Sequence, residues 1–259
     1  MDIKPGGLCT AWERKGYVVD GCLHWLVGTS PGSNYYQMWK DTGVIGDNKI
    51  INMEQFYRFE QKDGKEVIFY TNVEKLEKHL FEIAPEDRPF ISDITAAIRR
   101  FANFDPPCDK APELFNPIDS MKMLAAMKPF MGEIRKWSKM SVGETAERFN
   151  SPLLKQAVKT AFPSEMSSLF FIMTLAWSAA KNAGYVIGGS MKIALSMEKR
   201  FFELGGRIKY NSRVEKILTE NGRATGVRLA SGEEHKADYV ISAADGYSTV
   251  FNMLCLLYT

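Results

Sequence analysis

The sequence predicts a mixed fold, α/β towards its two ends and α+β in the middle, and three observations carry that prediction. From Gly184 to Asp245 a helix, a strand, a small meander and an apolar strand follow in order, as in the later half of a Rossmann-like dinucleotide-binding domain. From about Asp47 to Ala183 a single hairpin is followed only by helical patterns. Glycine pairs at Gly6-Gly7, Gly188-Gly189 and Gly205-Gly206 punctuate the outer parts. The chain thus divides into residues 1–46, 47–183 and 184–259.

In the first part, Thr10 to Arg14 and Tyr17 to Asp20 read as two short strands joined at Lys15-Gly16, and the glycine-rich run after Trp25 reads as loop. In the second, Phe56 to Gln61 and Glu66 to Thr71 flank Asp63-Gly64 as a hairpin with one buried face. Asn72 caps a helix carrying Leu76, Leu80, Ile83 and Ala84, stopped near Pro85. Another helix spans roughly Pro89 to Asn103. Pro106-Pro107 then breaks the chain and opens an irregular stretch to Pro117. Ser141 and Glu144 have capping-box spacing ahead of Thr145 to Phe149. A helix from about Ser164 to Asn182 is apolar almost all round.

In the third part, Ile193, Ala194, Met197, Phe201 and Leu204 recur on one helical face, and Lys192, Lys199, Arg200 and Glu203 occupy much of the other. Gly205-Gly206 ends that helix, because glycine accepts the left-handed backbone of a helix C-terminus. Arg207 to Tyr210 and Val214 to Thr219 read as strands, and Asn221-Gly222 as a two-residue hairpin turn. Thr225, Val227 and Leu229 share a face of the returning strand, and Ser231-Gly232 makes the next turn. Ala237 to Ala244 is nearly all apolar, as befits a strand covered on both faces.

Composition narrows the function. A chain of 259 residues with 45% hydrophobic and 25% charged residues can bury a large core as a soluble globular protein. A net charge of +2 without a basic cluster argues against nucleic acid as a partner. Cys9, Cys22, Cys108 and Cys255 lie far apart with no C-x-x-C pair. They read as reduced, inert thiols of a cytoplasmic protein, with no metal site and no signal peptide expected.

The string PGGLCTAWERKGYVVDGCLHWLVG, Pro5 to Gly28, combines a Gly-Gly pair, a hairpin of form R-x-G-Y-x-x-D and a G-x-x-H-W segment. It resembles the phytoene desaturase family of flavoproteins, which includes carotenoid isomerases and retinol saturases. The amine-oxidase flavoproteins are more distant relatives. Pro5-Gly6-Gly7 match the element that follows the ribose-holding acid in that family, and Asp20, Gly21, His24 and Trp25 match the stretch approaching the flavin. Gly188-Gly189, Gly205-Gly206, Val214 and Ala243-Ala244-Asp245 match later landmarks of the FAD domain. Leu8 stands where many relatives carry arginine.

The resemblance implies FAD as cofactor, held by Gly6, Gly7, Leu8, His24, Trp25 and Val214. It implies that residues 1–46 and 184–259 are parts of the FAD-binding domain, with 47–183 as an inserted substrate-binding domain. The implied substrate is a long apolar isoprenoid or polyene, to be desaturated, saturated or isomerised, with peripheral contact to the membrane in which such molecules dissolve. The family's G-x-G-x-x-G loop would lie upstream of Met1 and its last glycine-rich flavin contact beyond Thr259. The chain is therefore expected to be truncated, inactive and a poor FAD binder alone.

Plainer readings stand beside these. Gly6-Gly7 also suit a simple turn, His24 a structural role beside Trp25, and Val214 a strand core. Asp245 suits a cap better than catalysis. The uncharged run Ser167 to Ala180 is too short to span a bilayer; it reads as a buried helix, as the wall of an apolar substrate tunnel or as a surface touching membrane. The alternative function is a non-catalytic module that binds an apolar ligand without flavin.

Overall fold

The computed structural model describes residues 4–9, 11–108 and 110–254. These fall into two compact units. One comprises residues 8–200; the other joins the described residues up to Gly7 with those from Phe201 onward.

The larger unit opens with an antiparallel hairpin, β1 (Ala11–Arg14) and β2 (Tyr17–Asp20). Its turn puts Lys15 (φ 52°) and Gly16 (φ 80°) in the left-handed region, as a tight two-residue hairpin turn requires. Thr10, expected to begin β1, lies outside the described residues. The stretch after Trp25 is more ordered than a loop: it forms β3 (Leu26–Val27) and helix α1 (Asn34–Asp41). Trp39 on α1 donates its indole N–H to the Val27 carbonyl at 2.8 Å, a contact no local pattern announces. β4 (Ile50–Ile51) and β3 flank the later strand β7 (Ala183–Val186), both antiparallel, in the order β3-β7-β4.

The hairpin β5 (Gln55–Glu60) and β6 (Glu66–Tyr70) closes over Gly64 (φ 83°). Val67, Ile68 and Phe69 are all buried, so β6 is covered on both faces and not on one. Helices α2 (Val73–Ile83) and α3 (Arg88–Phe101) follow as predicted, and the Asn72 side chain accepts from the Lys75 N–H at 2.8 Å. From Pro117 the chain forms two further helices, α4 (Pro117–Met127) and α5 (Met131–Trp137). The Ser141–Glu144 capping box is made in both directions at the start of α6 (Val142–Glu147).

Helix α7 (Pro152–Ala161) starts on a buried carboxylate. Asp87 accepts hydrogen bonds from the Asn150 and Ser151 N–H groups and from the Asn150 amide. Helix α8 (Ser168–Ala179) runs through the core with Phe171, Ile172, Leu175 and Ala176 buried. Trp137 and Phe101 are fully buried in the same core. Truncating a buried aromatic there would cost about 3–5 kcal/mol.

Helix α9 (Gly189–Glu203) ends at Gly205 (φ 85°), as predicted. Its buried face is narrower than the periodicity suggested. Ile193 and Ala194 are buried, whereas Met197, Phe201 and Leu204 are exposed. Apolar spacing selects a face; only a packing partner covers it.

In the smaller unit an antiparallel meander, β8 (Val214–Glu220), β9 (Arg223–Leu229) and β10 (Glu234–Lys236), pairs in the order β10-β9-β8. Asn221 (φ 51°) and Gly222 (φ 74°) form its first turn. Two predicted strands are absent. Arg207 to Tyr210 is irregular, with Ser212 donating its hydroxyl to the Tyr210 carbonyl. Ala237 to Ala244 is neither strand nor covered: Tyr239 is 88% and Ile241 93% exposed. A strand exists only with a neighbour to exchange hydrogen bonds, and neither segment has such a ladder among the described residues. Asp245 caps the following turn, accepting from the Ser248 N–H at 2.8 Å.

Candidate functional site

The larger unit contains an open cavity of about 720 Å³, within the range of roughly 300–1,000 Å³ typical of small-molecule sites. One wall is a relay of aromatic rings. Trp25 meets Phe56 edge-on at 5.5 Å between centroids. Phe56 stacks on Phe162 at 5.8 Å, and Phe162 meets Phe170 edge-on at 5.9 Å. These rings come from the segment before β3, from β5, from the end of α7 and from α8, so four separate elements must fold before the wall exists. Met166, between α7 and α8, adds a flexible thioether suited to an irregular apolar lining. His24 lies at the cavity beside Trp25, with ring centroids 5.9 Å apart, and Tyr185 of β7 lines it as well.

Tyr185 is joined to a polar cluster at the start of α9. The Asp20 carboxylate, at the end of β2, accepts from the Ser190 N–H and the Ser190 hydroxyl, each at 2.6 Å. It also accepts from the N–H groups of Cys22 at 3.0 Å and Leu23 at 3.4 Å, and the Ser190 hydroxyl accepts from the Leu23 N–H at 2.9 Å. Burial pushes the Asp20 carboxyl up, but the Ser190 bonds and then those of Cys22 and Leu23 outweigh it and hold the group below its ordinary value. Burial and then the Asp20 charge push the Tyr185 phenol above its ordinary value.

Asp20 thus caps a helix that begins 169 residues further along the chain. Gly189 (φ 65°) makes this fit possible, because a Cβ there would come within 2.1 Å of the Asp20 carboxylate. The last residue of the R-x-G-Y-x-x-D hairpin and the Gly188-Gly189 landmark are therefore two halves of one contact.

The six residues proposed from the sequence to hold the cofactor separate by unit. Gly6, Gly7 and Val214 belong to the smaller one, Leu8, His24 and Trp25 to the larger. Gly6 (φ 103°) and Gly7 (φ 53°) are consecutive left-handed residues, and a Cβ on Gly7 would meet nothing within 4 Å. Bare, open backbone of this kind fits the close approach of a sugar or phosphate. Val214 opens β8 and is half-buried. Leu8 is 90% exposed. His24 and Trp25 are brought together at the cavity.

The sequence reading missed Tyr185, Phe56, Phe162 and Met166. The uncharged run at Ser167 to Ala180 forms helix α8. It buries one face in the core and turns Phe170 and Ser178 to the cavity.

The family profile described as flavin containing amine oxidoreductase matches residues 3–250. The neurosporene-forming phytoene desaturase of Rhodobacter capsulatus is 27% identical over 262 residues, covering 97% of this chain and 48% of that protein. The lycopene-forming phytoene desaturase of Paracoccus sp. is 24% identical over 259 residues, 93% of this chain and 48% of that protein. The chloroplastic prolycopene isomerase of Daucus carota is 41% identical over 70 residues, 27% of this chain and 11% of that protein. This chain spans about half the length of the two desaturases. Among solved structures, an oxidoreductase from Methanosarcina mazei aligns with a TM-score of 0.53 at 18% identity, over 97% of this chain and 53% of its own. That likeness speaks for the fold, a mixed α/β architecture of the FAD-binding Rossmann-like kind. With a matched profile running almost end to end, the chain belongs to the flavin-containing amine oxidoreductase family, whose cofactor here is FAD.

Proposed function

We propose that this chain serves an FAD-dependent oxidoreductase, a desaturase, saturase or isomerase, acting on a long apolar isoprenoid or polyene. The observation that carries this reading is the aromatic-walled cavity of about 720 Å³ in a chain of a flavin-dependent family. The names of the relatives, phytoene desaturases and prolycopene isomerases, favour the same substrate class.

Gly6, Gly7 and Val214 would hold the nucleotide part of FAD, with Leu8 beside the glycine pair and His24 and Trp25 on the flavin side. Bound FAD supplies a two-electron acceptor or donor for the substrate carbon chain. The residues of this chain do the rest. Trp25, Phe56, Phe162 and Phe170 orient a flat conjugated chain by stacking and edge contacts and exclude water around it. The Tyr185 phenol adds a polar group to the cavity wall.

Helix α4 supports the reading of peripheral membrane contact. Ile118, Met121 and Leu124 are exposed on it, with Leu114 just before, and Lys122 and Lys128 alongside can meet anionic headgroups. No helix among the described residues is long and apolar enough to cross a membrane.

The test is binding of all-trans-retinol, followed by tryptophan fluorescence quenching. The chain is expected to bind it, and Phe170→Asp, which puts a carboxylate into the wall, to weaken binding by about tenfold or more. Absence of polyene binding, or binding indifferent to Phe170→Asp, would remove the basis of the proposal.

A further inference from the structure

The apolar cavity opens into different chemistry. Asn52, Met53, Thr71 and Ser178 line both it and a second cavity of about 630 Å³. Beyond these shared residues the second cavity is lined by Glu54, Asn72, Lys75, Ala179 and Lys181. An aromatic-walled cavity and a more polar one are therefore neighbours across these four residues.

Lys75 and Lys181 line the second cavity. Lys75 lies in the first turn of α2, and its ammonium sits 4.1 Å from the centroid of the Tyr70 ring. Lys181 follows the end of α8 in the left-handed region (φ 55°), with its N–H bonded to the Ser178 carbonyl at 3.0 Å. Thr71 fixes the floor by donating its hydroxyl to the Met53 carbonyl at 2.7 Å. Among the described residues neither Lys75 nor Lys181 pairs with a carboxylate, whereas Lys65, Lys110, Lys136 and Lys159 each do. Glu54 is the single carboxylate of the lining, so two ammonium groups leave it net positive. A hydrocarbon end would gain nothing from such a lining; an anionic oxygen would gain charge-assisted hydrogen bonds.

We propose that the molecule held here is amphipathic, an isoprenoid or polyene chain in the aromatic cavity with an anionic oxygen end group, carboxylate or phosphate, at Lys75 and Lys181. This rests on the apolar-substrate reading above and narrows it.

The probes are all-trans-retinoic acid and all-trans-retinol, which share a chain and differ in the end group. With the full chain at low salt, retinoate is expected to bind about fivefold more tightly than retinol. Lys75→Met and Lys181→Met should each remove most of that preference and leave retinol binding unchanged, while Lys75→Arg and Lys181→Arg retain it. Added salt should weaken retinoate selectively. Geranylgeranyl monophosphate in competition distinguishes the two sources of the anion: displacement of retinoate at lower concentration identifies a phosphate end, the reverse a carboxylate. Equal binding of retinoate and retinol, untouched by the methionine substitutions, overturns this proposal while leaving the apolar-substrate reading standing. Binding of neither overturns both.

Discussion

Asp20 shows how much one carboxylate organises. Four hydrogen bonds from Ser190, Cys22 and Leu23 converge on it and tie the β1-β2 hairpin to the start of α9. Asp20→Asn is expected to destabilise the larger unit by about 1–3 kcal/mol in urea unfolding, because the amide keeps one acceptor and brings donors that face other donors. The carboxyl is held below its ordinary value of 3.8, so its contribution is complete above that pH and is lost as pH falls further. His79 gives a second titration. Its Nε2 accepts from the Ile68 N–H at 3.0 Å, and burial pushes the imidazole below 6.5 despite the opposing charges of Glu82 and Glu66. The unfolded chain takes up the proton first as pH drops, so stability should fall below about pH 6.5. His79→Gln keeps an acceptor without titrating. A thermal-melt profile between about pH 7 and pH 5 should flatten in that variant, and an unchanged slope would refute the assignment.

At the level of elements, hydrogen-bonded caps and turns were legible because their signals lie within a few residues. Asn72, the Ser141–Glu144 box, Lys15-Gly16 and Asn221-Gly222 all do what their residue types allow. The predicted strands at Arg207 to Tyr210 and Ala237 to Ala244 failed because a strand is a relation between two segments, and apolar composition names only one of them. β7 illustrates the converse. Gly184 sits between β3 and β4, where a Cβ would lie 2.4 Å from the Ile50 side chain and 3.0 Å from the Thr29 hydroxyl. Gly184→Val should therefore cost about 1–3 kcal/mol through overpacking, read as a lower urea midpoint with an unchanged slope. An unaltered midpoint would show that this sheet yields more readily than its contacts suggest.

For the molecule as a whole, the exposed apolar residues on α4 set the next test. The chain should co-sediment with vesicles containing anionic phospholipid, less so with neutral vesicles or at high salt. Replacing Ile118, Met121 and Leu124 together by serine should abolish co-sedimentation and leave the melting temperature nearly unchanged, since none of the three is buried. Retained co-sedimentation in that variant would move the contact elsewhere. The family assignment runs across both units, because the matched span of residues 3–250 contains the Gly6-Gly7 element and the β8-β9-β10 meander alike.

What the sequence determined alone is local or inherited in kind. The helix α9 with its glycine stop, the β8-β9 turn and the caps could be read from contiguous residues, and the flavoprotein resemblance from separate landmarks spread along the chain. Only the tertiary structure decided that Asp20 caps a helix starting at Gly189, that Trp25, Phe56, Phe162 and Phe170 form one wall, and that Lys75 and Lys181 line a neighbouring cavity. The physical reason is the same in each case. A hydrogen-bond partner or a cavity lining is fixed by where separate segments pack, and residue spacing along a chain carries no record of which distant segment will supply the other half.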